Sequence, residues 1–331
     1  MNYQQSKQIL EEIKKAKRIL VNCHRGPDAD SVGSALSVYA YLESIGKDVR
    51  VVCPDDLPTN LVFLPNSKVV KKIDYKDLDF SKIDLFMALD SGDWKMVTRI
   101  QEQTPSGLNL VVIDHHATNS GYGKINLVDQ RVSSCAEIIY SVLTDFGANI
   151  TKEIATCLLT GIIGDTGVFQ YPGVTASTLD VAGELMKKGA DKDEIIFNIY
   201  RSNDFRALKF FGVLLNKMQI DRKHKFVWSA LDYNDFEPHR NISNAKDAKS
   251  SAASLFMQGV VGTDFGFIAL EDEREKLSLS FRSRTGFDVS KLAEALGGGG
   301  HKAAAGGKVE GLAFDAAIKK VLETAKKYSR K

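Results

Sequence analysis

A chain of 331 residues exceeds the usual size of one domain, so two units with separate cores are expected. Its 44% hydrophobic and 26% charged residues are ordinary for a globular protein, and 44 basic against 42 acidic residues leave a formal net charge of +2. That balance excludes a global field able to grip long duplex DNA, although a local basic patch stays compatible with it.

The opening stretch M-N-Y-Q-Q-S-K-Q-I-L-E-E-I-K-K-A-K repeats apolar residues every three or four positions among charges, which predicts an amphipathic helix and not a signal peptide. No run reaches the eighteen or so apolar residues of a membrane span, so a cytoplasmic protein with no membrane partner is expected. Cys23, Cys53, Cys135 and Cys157 contain no C-x-x-C pattern, which argues against a disulfide framework or a zinc ribbon. Cys23 reads as a small buried residue closing a strand.

Residues 18–23 (R-I-L-V-N-C) predict a buried strand that delivers His24 and then Asp28 and Asp30 in H-R-G-P-D-A-D-S-V-G-S. Residues 31–45 predict a helix capped by Ser31 and stopped at Gly46, and 47–53 a further strand. Residues 84–89 (D-L-F-M-A-L) deliver Asp90 and Asp93. An intervening element is expected at 98–103, and L-N-L-V-V-I at 108–113 delivers Asp114, His115 and His116 together. This alternation predicts an α/β fold with a doubly wound parallel sheet, whose strand ends are where such sheets hold ligands. Residues 133–146 predict a helix capped by Ser133 or Ser134, whose N-terminus could offer N–H groups to a phosphate. Residues 158–163 (L-L-T-G-I-I), either a strand or the end of a helix, deliver Asp165 in G-D-T-G. Phe169 and Tyr171 follow, read as core residues or as a platform for a base.

Four apolar segments thus each end in carboxylate or imidazole. Such a mixed set suits Mn²⁺, Mg²⁺, Fe²⁺ or Co²⁺ better than structural zinc, and a shared carboxylate can hold two ions about 3.5–4 Å apart. Ions so paired activate water and clamp the oxygens of an in-line phosphoryl displacement, which points to phosphoester hydrolysis.

The expected division is a catalytic domain over residues 1–190, a helical linker over 191–217 with Phe205, Leu208, Phe210, Phe211, Val213 and Leu214 on its apolar side, and a smaller α/β domain over 218–331. Strands are predicted at 219–221, 225–231, 264–270 and 276–282, with helices at 248–257 and 291–296. The last helix runs into G-G-G-G-H-K-A-A-A-G-G. Consecutive glycines are costly in backbone entropy, and a loop whose N–H groups approach a phosphate or sugar is one gain that offsets the cost.

His24-x-x-x-Asp28-x-Asp30, Asp90, Asp114-His115-His116 and Asp165 resemble, in order and rough spacing, the four motifs of the DHH phosphoesterase superfamily, and G-G-G-G-H at 297–301 resembles the signature of its DHHA1 domain. The matches run over nearly the whole chain, and length and domain pairing are most similar to the bacterial oligoribonuclease and 3′-phosphoadenosine 5′-phosphate (pAp) phosphatase group. The resemblance implies two divalent ions, with Mn²⁺ the first expectation. His24, Asp28 and Asp90 would hold one, Asp30, Asp90, His115 and Asp165 the other. Asp114 would orient an imidazole, and His116 would face the scissile phosphate as a catalytic group. Arg282, Gly298, Gly299, Gly300 and His301 would bind substrate across an interdomain cleft, with Arg284 a weaker candidate.

The expected substrates are very short single-stranded RNA, linear dinucleotides such as pApA, and pAp; homodimer formation is left open. Rivals within the superfamily are an inorganic pyrophosphatase or exopolyphosphatase, a cyclic dinucleotide phosphodiesterase and a longer-range single-strand exonuclease. A rival of another class is a non-catalytic nucleotide-binding module. The full set of acidic and imidazole groups speaks against it, because clustered like charges need a cation to offset their repulsion.

Overall fold

The computed structural model describes residues 3–100, 103–171, 173–240 and 245–329. The chain forms two units, Met1–Ser202 and Asn203–Lys331. In the first, strands β1 (Arg18–Asn22), β2 (Asp48–Cys53), β3 (Val70–Lys72), β4 (Leu85–Leu89), β5 (Leu110–Asp114) and β6 (Ile125–Val128) alternate with helices α1 (Gln5–Lys15), α2 (Ala29–Ser44), α3 (Trp94–Thr98), α4 (Cys135–Asp145), α5 (Lys152–Asp165), α6 (Ala176–Lys187) and α7 (Lys192–Tyr200). The strands pair in parallel in the order β3-β2-β1-β4-β5-β6. This is the order of a doubly wound sheet, in which the chain reverses direction across the sheet between β1 and β4.

Every residue of β4 and β5 is buried, as uninterrupted apolar runs require. The side chains of β1, β4 and β5 alternate between two cores. Val21, Met87, Leu89, Val111 and Ile113 join Ile9, Leu36, Ile138 and Leu158 of the long helices. Leu20, Phe86, Ala88, Leu110 and Val112 face Tyr75, Trp94 and Val97 instead. The long helices therefore gather on one face, while α3 and short 3-10 turns cover the other. The element expected at 98–103 is only partly visible here: α3 ends at Thr98, and residues 101 and 102 lie outside the described residues.

α2 and α5 pack through glycines. A Cβ on Gly33 would come within 2.3 Å of the Cys157 carbonyl oxygen, and one on Gly164 within 2.4 Å of the Ala29 Cβ. Only hydrogen at these positions allows backbones so close, and the contact brings Asp30 of α2 toward α5. The segment at 158–163 belongs to α5, so Asp165 leaves the end of a helix and not of a strand. α2 starts two residues earlier than Ser31, because the Asp28 carboxylate is the cap and accepts from the Ser31 N–H at 3.0 Å.

The stretch 191–217 is not a separate linker. Ile195 of α7 is buried in the first unit's core, whereas α8 (Phe205–Asn216) packs Phe210, Phe211 and Leu214 into the second unit. Phe205 and Leu208, expected on the packed side, point outward at 72% and 50% exposure, since the inner face of α8 is set by Ala207, Phe210, Phe211 and Leu214.

The second unit is built on β7 (Gln219–Asp221), β8 (Phe226–Leu231), β9 (Phe265–Glu273), β10 (Lys276–Ser283), β11 (Gly299–Gly300) and β12 (Ala304–Glu310), ordered β11-β12-β10-β9-β8-β7. Only β8 and β9 run parallel among the described pairs. One face packs on α11 (Ser290–Ala295) and α12 (Phe314–Tyr328), the other on α8 and α10 (Ala245–Ala252), with α9 (Tyr233–Phe236) beside them. The helix expected at 248–257 changes pitch at Ala253, continuing as a π-helical turn to Met257. No described helix is long and apolar enough to cross a membrane.

Candidate metal centre and active site

The expected ligands of the first unit meet at the carboxyl ends of β1, β4 and β5, where the strand order reverses. His24 follows β1, Asp90 follows β4, and His115 and His116 follow β5. His24 Nε2 lies 3.6 Å from Asp28 Oδ1 and 3.4 Å from Asp90 Oδ2. His115 Nε2 lies 3.6 Å from Asp90 Oδ1 and 3.4 Å from Asp165 Oδ2. Three groups have ligand atoms within 4.8 Å of one another: His24, Asp28 and Asp90; Asp30, His115 and Asp165; Asp90, His115 and His116. Asp90 belongs to two of them, which is the geometry a bridging carboxylate needs.

Asp90 is also the most anomalous member. It is buried, its Oδ1 has no hydrogen-bond partner, and its backbone sits at φ 51°. An unpartnered buried carboxylate oxygen is costly, and a left-handed backbone outside glycine adds strain that a site must justify. Past Asp165, Gly167, Val168 and Phe169 take φ of 55°, 58° and 62° in succession. A β-branched valine seldom adopts that region. Tyr171 packs on Gly167, where a Cβ would come within 2.5 Å of its ring, and Phe169 is half-buried against the first core. Both aromatics are thus engaged in packing.

The carboxyls of the cluster shift in both directions: burial would raise Asp28, but the charge and hydrogen bond of His24 outweigh it and hold that carboxyl below its usual range. Burial, followed by the charges of Asp90, Asp165 and Asp28, pushes the Asp30 carboxyl well above its usual range. Burial also raises Asp165, with Asp28 and Asp90 adding to it and His115 opposing, to about 7. Asp30 and Asp165, raised in this way, would gain from added positive charge, and the oxygen and nitrogen donors present fit hard or borderline divalent cations.

Asp114 is wholly buried and accepts two hydrogen bonds, from His116 Nδ1 at 2.6 Å and from Asn119 Nδ2 at 2.6 Å. Burial alone would lower the His116 imidazole, but the Asp114 bond and the charges of Asp90, Asp114 and Asp165 outweigh it and push it up to about 9. Asn119 also donates to the Ser91 carbonyl at 3.3 Å, tying the loop after β5 to the turn after β4. Sequence reading passes over Asn119, whose only signal is an amide three residues beyond a histidine pair. Ser31, read from sequence only as a helix cap, instead accepts from the His24 N–H through its Oγ at 2.9 Å.

The N-terminus of α4 is not offered to a phosphate. Its Cys135 and Ala136 N–H groups donate to Asp30 at 2.6 and 2.9 Å, and Ser134 caps the helix. The positive end of the helix therefore holds a candidate ligand carboxylate in place. Ser133 Oγ donates to Glu137, so it too is committed internally.

With that geometry in view, known proteins give the family. The model of the DHH family's N-terminal domain matches residues 18–162, and that of the DHHA1 domain matches residues 242–328. A "bifunctional oligoribonuclease and PAP phosphatase NrnA" of Thermus thermophilus is 30% identical over 331 residues, covering 98% of this chain and 94% of that protein. The chain belongs to the DHH/DHHA1 phosphoesterase family. It is accordingly a hydrolase, and the NrnA of Bacillus subtilis, 26% identical, covers 88% of this chain and 89% of that one. The solved structure of an exopolyphosphatase-related protein from Bacteroides fragilis aligns at a TM-score of 0.89 with 26% identity, over 98% of this chain and 95% of that one. The DHH motif itself is Asp114-His115-His116, and the DHHA1 unit carries the remaining candidate residues.

Arg282 of β10 pairs with Ala304 of β12, and Gly299 and Gly300 of β11 pair with Gly306 and Ala305, so these residues share one end of the sheet. The glycine run is not a flexible loop but a helix end leading into an edge strand. Gly297 ends α11 at φ 72°, a Cβ on Gly298 would lie 2.0 Å from the Gly306 carbonyl oxygen, and Gly300 sits at φ 142°. Gly299 alone of the four has open space where a side chain would be. The small-residue run after His301, given no element in sequence, is strand β12, and His301 is exposed with its N–H donated to the Ala304 carbonyl. Arg282 donates to Ser254 Oγ at 2.8 Å, Ser250 Oγ at 2.7 Å and the Phe281 carbonyl at 2.9 Å. Arg284 bonds the Thr263 carbonyl at 3.1 Å.

Proposed function

We propose that this DHH hydrolase cleaves phosphoester bonds in very short oligoribonucleotides, linear dinucleotides such as pApA, and pAp. The observation that carries the reading is the cluster centred on Asp90, set at the strand ends of a chain similar over nearly its full length to proteins named oligoribonuclease and PAP phosphatase. His24, Asp28 and Asp90 would hold one divalent cation and Asp30, Asp90, His115 and Asp165 a second, with Mn²⁺ the first candidate. Cations bound there supply Lewis-acid stabilisation to the phosphoryl oxygens.

The chain's own residues supply orientation and a proton. The Asp114 carboxylate holds His116 Nδ1, which fixes the ring and stabilises its charged form, as an orienting carboxylate does for a catalytic imidazole. His116 would then donate its other ring proton to the leaving ribose oxygen. The DHHA1 unit would hold the part of the substrate that does not react, through Arg282, His301 and the backbone at Gly298–Gly300.

The test offers purified protein with Mn²⁺ five substrates: pyrophosphate, pAp, pApA, cyclic di-AMP and a long single-stranded oligonucleotide, with products resolved by chromatography. Turnover of pAp and pApA above the other three is expected. Preference for pyrophosphate or the cyclic dinucleotide would reject the substrate assignment while leaving the hydrolase intact.

A further inference from the structure

We infer that Asn22 is a positioning residue for the metal centre: its buried amide spans the gap between β1 and β4 and sets the spacing at which His24 and Asp90 share a cation. The inference rests on the reading of those two residues as ligands.

An asparagine in the apolar run R-I-L-V-N-C is out of pattern, and Asn22 is fully buried. A buried amide is costly unless its donors and its acceptor are used. β1 and β4 pair only from Ile19 and Leu85 to Val21 and Met87, whereas β1 stays with β2 as far as Asn22 and Val52, and β4 with β5 as far as Leu89 and Ile113. The sheet therefore opens between β1 and β4 just below the site.

Alternate N–H groups of a strand point to opposite neighbours. Phe86 and Asp90 donate theirs to the Asn109 and Ile113 carbonyls, at 2.9 Å each, so the Leu89 N–H faces the opened side. There it donates to Asn22 Oδ1 at 2.9 Å. The other end of the amide donates from Nδ2 to Ser91 Oγ at 3.4 Å, and that hydroxyl donates to the Leu89 carbonyl at 2.9 Å. Both neighbours of Asp90 are thus held by one side chain of β1, while the Ser91 carbonyl accepts from Tyr122 Oη at 2.9 Å.

The clasp encloses the residue whose backbone sits at φ 51°. A left-handed backbone outside glycine persists only where its surroundings over-determine it. Asn22 also stands two residues before His24, whose Nε2 lies 3.4 Å from Asp90 Oδ2. One amide therefore ties together the two strand ends that carry these ligands. A leucine would fill a similar space, cut both bonds and leave the Leu89 N–H without its partner.

Titration of the chelator-treated full chain with Mn²⁺, with the free ion followed by electron paramagnetic resonance, reads this tie without turnover. Asn22→Leu should weaken Mn²⁺ binding roughly 10- to 100-fold, the range for losing a group that orients a ligand. Ser91→Ala, which removes one end of the clasp, should weaken it by a smaller factor, and it carries the test if Asn22→Leu does not fold. Ile13→Ala, a truncation of the core on α1, should lower the melting temperature yet keep Mn²⁺ affinity. Mn²⁺ bound by the wild type and held equally well by both clasp variants, or lost equally in Ile13→Ala, would overturn the inference and leave the ligand assignment standing. A wild type that binds no Mn²⁺ would reject the ligand assignment itself, and the inference with it.

Discussion

Asp90 concentrates the conflict between stability and function. Its buried Oδ1 has no hydrogen-bond partner and its charge raises the carboxyls of Asp30 and Asp165, so without a cation the folded state carries repulsion among them. Asn tolerates a left-handed backbone and has no charge. Asp90→Asn should therefore melt at or above the wild-type temperature in chelator, yet lose the upward shift that Mn²⁺ gives the wild type by binding the folded state. Turnover should fall by several kcal/mol of barrier, about three orders of magnitude. A variant that keeps both the Mn²⁺ shift and turnover would reject Asp90 as the bridge. His116 poses a separate question, because its Nδ1 faces Asp114 at 2.6 Å and Asp90 at 3.6 Å. If it serves as the acid, His116→Ala should retain metal stoichiometry by elemental analysis and lose roughly 10²–10⁴-fold in kcat. Loss of metal from His116→Ala, with His115→Ala unaffected, would exchange the two roles.

At the scale of elements, the α2–α5 crossing controls how closely Asp30 approaches its partners. A Cβ on Gly161 would lie 2.7 Å from both Asp30 Oδ1 and the Ala136 Cβ. Alanine improves helix propensity by up to about 1 kcal/mol, but overpacking there costs about 1–3 kcal/mol, so the packing term wins. Gly161→Ala should lower both denaturant stability and activity, whereas Gly183→Ala in α6, which has open space, should raise stability and leave activity alone. The opposite pattern would mean the crossing is not tightly packed. A second tie joins the chain start to the end of β6: Tyr3 Oη donates to Asp129 Oδ2 at 3.1 Å, and Arg131 Nε to Oδ1 at 2.8 Å. The Arg131 hydrogen bond is the main reason the Asp129 carboxyl falls to about 2. A folded value below the unfolded one, about 3.9, means the stabilisation is present above that pH and disappears as pH falls toward about 2. Urea titrations should show wild type more stable than Asp129→Asn at pH 7, with the gap closing below about pH 4.

Across the whole molecule, the parts that sequence makes legible are those with a local periodic cause. Uninterrupted apolar runs announce β1, β4 and β5, and the polar residues directly after them announce His24, Asp90 and the DHH triplet. What stays hidden depends on contacts between distant segments. Asp30 receiving the N–H groups of α4 joins residues more than a hundred positions apart, and Asn119 bracing Asp114 matters only once the β4 and β5 ends are neighbours. Strand β12 is hidden for another reason: alanine and glycine have no strand periodicity to read, and the pairing with β10 decides their state.

The glycine run offers a way to separate structural from substrate-directed roles in the DHHA1 unit. Gly298 is required by the chain itself, because any side chain would strike the Gly306 carbonyl, so Gly298→Ala should destabilise the fold whatever the substrate. Gly299 has no such internal requirement, being exposed with open space at its Cβ position. If the strand edge there lies against a substrate's phosphate or sugar, the space is needed only when substrate is bound, in ground state and transition state alike. Interactions of that kind change KM and leave kcat in place. Gly299→Val should therefore melt near the wild-type temperature while raising KM for pApA by about tenfold or more, a difference of 1.4 kcal/mol or above. Hydrolysis of bis-p-nitrophenyl phosphate, which is too small to need the second unit, should change little. An unchanged KM for pApA in a well-folded Gly299→Val protein would mean that the glycines serve the β11–β12 pairing alone, and substrate recognition would have to be sought elsewhere in the chain.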